Sequence, residues 1–123
     1  MKDILVVDDA PDILEIATLA LRDVGGFGVR TAANGAEAVA AVQAGRPDAV
    51  VLDVSMPILD GPATVEALRD AGFGDVPIVF LTASARRAEH AQLMELGVAG
   101  VLTKPFDPMR LAADLSATLG WDG

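Results

Sequence analysis

The sequence predicts an α/β fold in which a parallel five-stranded sheet carries helices on both faces. Short apolar runs rich in β-branched residues alternate with segments of helical periodicity along the 123 residues. Strands that alternate with helices pair in parallel, because each right-handed crossover returns the chain to the same end of the sheet. The chain length suits one domain, and a hydrophobic fraction of 52% supplies a buried core. We therefore expect a single three-layer α/β/α domain over residues 1–123.

The predicted strands share a run of apolar, β-favouring residues; they cover about residues 4–7, 28–32, 49–52, 77–81 and 98–103. The predicted helices share apolar residues at intervals of three and four; they cover about residues 11–24, 34–45, 61–71, 86–96 and 107–119. Pro11 and Pro62 suit first helical turns, Asn34 opens a capping box, and Asp107 is expected to cap the last helix.

Composition and charge exclude several functional classes. The net charge of −9 repels a phosphate backbone, so we expect no direct nucleic-acid binding. No apolar run approaches the roughly 20 residues of a membrane helix, so we expect a cytoplasmic protein without a membrane partner. Cysteine is absent, which excludes a thiolate nucleophile and a Cys-ligated zinc site.

Polar side chains follow four of the five predicted strands. Asp8 and Asp9 follow the first strand, Asp53 the third, Thr82 the fourth and Lys104 the fifth. In an open parallel sheet the carboxyl ends of the strands form one edge, and ligands bind there near the point where the strand order reverses. Each of these residues taken alone is ordinary for a loop or a helix cap. Their repetition at strand ends predicts a site.

The residue types at this edge indicate phosphoryl transfer with Mg²⁺. Three carboxylates in one site repel one another, and a hard divalent cation with oxygen ligands is the usual remedy. Lys104 can hold a phosphate oxygen, and the Thr82 hydroxyl can donate to another. Asp53 is the natural nucleophile, because an aspartate can form an acyl phosphate while a metal offsets the charge.

With these positions fixed, the chain resembles the receiver domain of bacterial two-component response regulators over residues 2 to about 119. The motifs that carry the resemblance are LVVDD at residues 5–9, LDVSMPILDG at 52–61, LTA at 81–83 and TKPF at 103–106. The resemblance implies the flavodoxin-like fold with strand order 2-1-3-4-5. It also implies a cis bond between Lys104 and Pro105.

The resemblance implies a role for each residue at the sheet edge. Asp9 and Asp53 would bind Mg²⁺ directly, Asp8 mostly through water, and the backbone carbonyl of Ser55 would be a further ligand. Asp53 would take a phosphoryl group from a sensor histidine kinase or a phosphotransfer protein. The domain would act as a phosphorelay switch that catalyses only its own phosphorylation and dephosphorylation.

The resemblance further implies that phosphorylation changes the face formed by the fourth helix, the fifth strand and the fifth helix, which a downstream protein would bind. Val101 stands where receivers usually carry Tyr or Phe, so we expect the familiar aromatic switch to be altered. His90 is expected to be a solvated residue of the fourth helix. A chain that ends soon after the fifth helix predicts a stand-alone receiver without an output domain.

Two alternatives remain open from the sequence. The first is a docking module that keeps the fold and is not phosphorylated, for which Val101 is the one favourable feature. The second is an aspartate-nucleophile phosphohydrolase, which also uses Asp, Thr or Ser, Lys and Mg²⁺. Such hydrolases place the nucleophile on the first strand, whereas the acids of the first strand here are adjacent and the proposed nucleophile follows the third.

Overall fold

The computed structural model describes residues 1–121, in which strands and helices alternate. The strands are β1 (Asp3–Val7), β2 (Gly28–Ala32), β3 (Ala49–Asp53), β4 (Ile78–Thr82) and β5 (Gly100–Thr103). The helices are α1 (Pro11–Leu19), α2 (Gly35–Ala44), α3 (Gly61–Asp70), α4 (Arg87–Met94) and α5 (Leu111–Leu119). A π-helical turn, Ala20–Val24, continues α1. Residues 122 and 123 of the predicted domain lie outside the described residues.

The five strands form one sheet in the order β2-β1-β3-β4-β5, and all four neighbouring pairs are parallel. This confirms the predicted fold class and strand order. The central pair β1 and β3 is joined in register from Ile4 with Ala49 to Val7 with Leu52. The two strands therefore end side by side, and the residues that follow them share one edge of the sheet.

Each face of the sheet carries its own apolar cluster. Leu5 and Phe80 pack on the side of α2 and α3, whereas Ile4 and Leu81 pack on the side of α1 and α5. These four side chains are fully buried. Burial of a large aliphatic or aromatic side chain contributes about 1.5–3 kcal/mol, so the double layer gives the sheet edge a stable support.

The predicted boundaries differ from the structure mainly near the end of the chain. The last helix begins at Leu111 instead of near residue 107. The Asp107 side chain accepts a hydrogen bond from the Met109 N–H at 2.9 Å, and its carbonyl accepts from the N–H groups of Arg110 and Leu111. Asp107 thus caps a turn that leads into α5. Strand β5 begins at Gly100, two residues after the predicted start.

Candidate functional site

The residues that the sequence places at strand ends meet in one cavity of about 460 Å³ at the carboxyl edge of the sheet. The cavity is lined by Asp8, Asp9, Ala10, Asp53, Val54, Ser55, Thr82, Ala83, Ser84, Glu89 and Lys104. Every predicted site residue is among them. The cavity opens where β1, β3 and β4 end, and α4 contributes Glu89 to its wall.

Three carboxylates form the acidic part of the cavity. One carboxylate oxygen from each of Asp8, Asp9 and Asp53 lies within 4.8 Å of the other two. Asp8 is fully buried, Asp53 is buried with 5% of its surface exposed, and Asp9 is exposed. An Asp8 oxygen also accepts a hydrogen bond from the Ala10 N–H at 2.9 Å, which holds the start of the loop before α1.

Lys104 bridges the two buried carboxylates. Its Nζ donates to Asp8 Oδ2 at 2.7 Å and to Asp53 Oδ1 at 3.1 Å. Partial burial alone would lower the pKa of Lys104, but the hydrogen bonds and charges of Asp8 and Asp53 outweigh it and raise that pKa above 10.5. The ammonium group is therefore charged at neutral pH. The Lys104–Pro105 peptide bond is cis, as the resemblance implies.

The Asp53 carboxyl has an unfavourable position for a charge. Burial raises its pKa above the ordinary value of 3.8, and the nearby charge of Asp8 acts in the same direction. The hydrogen bond and charge of Lys104, together with a backbone hydrogen bond from Ser55, lower the pKa without cancelling the rise. The three carboxylates thus carry more negative charge than the ammonium group of Lys104 offsets.

This excess of negative charge fits a divalent cation. The carboxylates of Asp8, Asp9 and Asp53 supply closely spaced oxygen ligands, and Ser55 lines the same cavity. Magnesium prefers oxygen ligands and uses one or two carboxylates together with water and phosphate oxygens. The donor set is therefore able to hold Mg²⁺. Among the described residues, none of those that line this cavity is a histidine or a cysteine, the ligands that zinc would favour.

A glycine allows α3 to start directly beneath Asp53. A Cβ at Gly61 would lie 2.8 Å from the Asp53 carbonyl oxygen and 2.9 Å from a ring carbon of Phe80. The Gly61 N–H donates to the Val54 carbonyl at 2.9 Å, and the Asp60 side chain caps the helix by accepting from the Ala63 N–H at 2.9 Å. The loop between β3 and α3 is therefore anchored at both ends.

Helix α4 makes two contacts beside the cavity that the sequence did not predict. Glu89 lines the cavity and forms an ion pair with Arg86 at 3.4 Å. His90 was predicted to be solvated, and this was wrong: it is half-buried, and its Nε2 lies 2.7 Å from the Ser84 carbonyl oxygen. Both residues lie in the first turn of the helix that follows β4, and this position could have suggested the contacts, because that turn lies beside the cavity.

Comparison with known proteins identifies the family. The family model described as "Response regulator receiver domain" matches residues 4–116. The chain belongs to the response regulator receiver domain family. Receiver domains act as phosphorelay switches in two-component signalling, where they partner with histidine kinases and are not classical enzymes.

Several relatives illustrate the match of this receiver domain. The transcriptional regulatory protein PrrA of Mycobacterium tuberculosis is 43% identical over 116 residues, which cover 94% of this chain and 49% of the relative. The chemotaxis response regulator CheY4 of Vibrio cholerae is 34% identical with a TM-score of 0.88, covering 96% of this chain and 98% of that one. The BeF3-activated DrrB receiver domain is 26% identical with a TM-score of 0.83, covering 98% of both chains.

These relatives differ in length, and this bears on the domain prediction. The receiver domain spans about half the length of the curated relatives it matches, such as PrrA, and nearly all of CheY4. The expectation of a stand-alone domain over residues 1–123 therefore stays a prediction. Among the described residues, no helix is both long enough and apolar enough to cross a membrane.

Proposed function

We propose that the chain accepts a phosphoryl group on Asp53 from a histidine kinase or a phosphotransfer protein in a Mg²⁺-dependent reaction. The observation that carries this proposal is the bridge from Lys104 to Asp8 and Asp53, with the Asp9 carboxylate beside it. One charged donor and three carboxylates at the end of a rigid sheet suit the binding of a metal and a phosphoryl group together.

The residues of the cavity have distinct roles in the proposed transfer. An Asp53 carboxylate oxygen forms a bond to phosphorus while the N–P bond of the donor phosphohistidine breaks, and that electron pair stays on the imidazole nitrogen. Lys104 already donates to Asp53, so its ammonium group lies where it can hold a phosphoryl oxygen. Thr82 lines the same cavity, and its hydroxyl can donate to another phosphoryl oxygen.

Asp9 and Asp53 would hold Mg²⁺ directly in this proposal, the backbone carbonyl of Ser55 would be a further ligand, and Asp8 would act mostly through water. When bound, the ion offsets the charge between the carboxylate nucleophile and the incoming phosphoryl oxygens. Asp8 has a second task, because its buried carboxylate receives the shortest hydrogen bond of Lys104, at 2.7 Å. Asp8 thereby holds the ammonium group beside Asp53.

The output of the proposed switch is a change in the face formed by α4, β5 and α5, which a downstream protein binds. Val101 lies in β5, is half-buried and packs against the apolar cluster under α2 and α3. A valine cannot change its buried area as an aromatic residue does, so we place the response in the loop after Thr82. A cytoplasmic location and the lack of direct nucleic-acid binding are parts of the same proposal.

Phosphorylation can be tested with a small donor. The protein is incubated with Mg²⁺ and acetyl phosphate, and its intact mass is measured. We expect a gain of about one phosphoryl group, which disappears in EDTA and in Asp53→Asn. Asp70→Asn is the matched control, because Asp70 is an exposed aspartate at the end of α3 outside the cavity.

The alternatives give different results in the same experiment. A docking module that is not phosphorylated would show no mass gain at saturating donor. A phosphohydrolase would release phosphate continuously from unrelated phosphate monoesters. A stoichiometric adduct that depends on Asp53 and Mg²⁺ contradicts both alternatives.

A further inference from the structure

Ser84 is the centre of a small hydrogen-bond network beside the acceptor cavity. Its N–H donates to Thr82 Oγ1 at 3.1 Å, and its hydroxyl oxygen accepts from the Arg86 N–H at 3.2 Å. Its carbonyl oxygen lies 2.7 Å from His90 Nε2. Two hydrogen bonds therefore lead from the Thr82 hydroxyl to a side chain of α4.

The chemistry of the last bond fixes the role of His90. A carbonyl oxygen can only accept, so Nε2 of His90 carries the hydrogen and donates it. His90 belongs to the first turn of α4, and its own N–H donates to the Arg86 carbonyl at 3.1 Å. Its side chain therefore ties α4 back to the loop from which the helix starts.

Helix α4 has few other attachments. Of its eight residues only Leu93 is buried, and the N-cap residue Arg86 makes no side-chain capping bond. The Leu96 carbonyl beyond the helix accepts a hydrogen bond from the Arg69 side chain. A helix with one buried side chain and an uncapped start opens locally at low cost, so a single additional hydrogen bond changes its stability noticeably.

We propose that His90 is the positioning residue through which the state of Thr82 reaches α4. This inference rests on the proposed phosphorylation of Asp53. When Thr82 rotates toward a phosphoryl group, its oxygen leaves the Ser84 N–H, because the hydroxyl moves from one staggered position to another. Ser84 then loses the contact that orients its carbonyl, His90 loses its acceptor, and α4 loosens. This route uses polar contacts and needs no aromatic residue at Val101.

The test uses two variants of His90 in the full chain. His90→Leu keeps an apolar body of similar reach and removes the donor, whereas His90→Gln keeps an N–H donor near the position of Nε2. Amide hydrogen exchange of α4 is measured with and without Mg²⁺ and beryllofluoride, a phosphoryl mimic. Fluorine NMR of bound beryllofluoride reports independently whether the acceptor site is occupied.

We expect beryllofluoride to raise α4 exchange about 2- to 10-fold in the unmodified protein and in His90→Gln, the change that one neutral hydrogen bond supports. In His90→Leu, exchange without beryllofluoride should already be at the raised level and change less than about 2-fold on addition. Nitrogen NMR of the imidazole should identify the Nε2–H form before activation, because a carbonyl partner requires that tautomer.

Two results would overturn the proposal, and they are distinguishable. Bound beryllofluoride with an unmodified α4 response in His90→Leu would exclude the His90 route and leave the proposed phosphorylation intact. Absence of any bound fluoride signal in all three proteins would exclude the proposed acceptor function and the His90 route with it. Circular dichroism of each variant establishes that a lost response does not reflect an unfolded chain.

Discussion

The interior of the sheet and its carboxyl edge are built on opposite principles. Along β3 and β4 every residue is buried, and each is apolar until Asp53 and Thr82 are reached. At the carboxyl edge, Asp53 and the residues that follow β1 bring three carboxylates together with the ammonium group of Lys104. Burial of the interior stabilises the folded state, whereas the charges held close together at the edge destabilise it.

The position of the site follows from the pairing of parallel strands. Neighbouring parallel strands fix the positions of their terminal residues through the register, which aligns Asp53 with Leu81 and Thr82 with Thr103. A buried charge that is not fully offset destabilises the folded state unless rigid surroundings hold it. The cavity at the sheet edge thus destabilises the fold locally, and the two apolar clusters on the faces of the sheet offset this cost.

The largest expected effect is on the interior. Phe80 is fully buried between the sheet and α3, so Phe80→Ala should lower the free energy of unfolding by about 3–5 kcal/mol. Urea denaturation measures this change. Met94→Ala is the control, because that side chain is exposed and should change stability by less than about 0.5 kcal/mol. A loss below about 1 kcal/mol for Phe80→Ala would contradict this view of the interior.

The next effect concerns the charge at the edge. Mg²⁺ at a concentration of about 100 times its Kd should raise the free energy of unfolding by about 2.7 kcal/mol, because it binds the folded site and not the unfolded chain. Asp9→Asn removes a predicted ligand and should abolish most of this gain. Urea denaturation with and without Mg²⁺ measures both values. Equal stabilisation of Asp9→Asn would place the ion elsewhere.

In EDTA, the free energy of unfolding should depend on pH because of the charge on Asp53. Because burial raises the pKa of Asp53 above 3.8, the folded protein binds more protons than the unfolded chain between 3.8 and the raised value. This contribution to stability is lost as the pH rises through that window. In EDTA at neutral pH, Asp53→Asn should therefore be more stable than the unmodified protein in urea denaturation. The gain should vanish below the window, where both side chains are neutral.

The sequence predicts the sheet and its polar edge well, because both depend on local patterns and on the geometry of parallel strands. Asp53 and Lys104 could be placed together in this way. The contact between His90 and the Ser84 carbonyl could not be predicted. It depends on the path of the loop before α4 and on which face of α4 packs against the sheet. The positive φ of Ile58 could not be predicted from the sequence either, because β-branched residues rarely adopt positive φ.

The backbone at the sheet edge is also strained, at Ile58. It lies in the loop between β3 and α3 with φ of 72°, and the Leu59 N–H donates to the Pro57 carbonyl at 2.8 Å across it. A three-residue turn with positive φ is strained, and isoleucine is among the residues least suited to it. The side chain is 83% exposed, so burial does not offset the strain.

Relief of this strain gives the smallest predicted effect. Ile58→Asn should raise the free energy of unfolding by about 1 kcal/mol, because asparagine tolerates positive φ and little buried area is lost. Ile16→Asn is the matched control, since Ile16 is 40% exposed within the regular helix α1. That change should lower stability by about 0.5 kcal/mol or more through helix propensity and lost packing. Urea denaturation measures both changes. Opposite signs would show that the backbone of Ile58 is strained and that removal of an exposed apolar side chain does not explain the gain. A loss of stability in both variants would contradict the predicted strain.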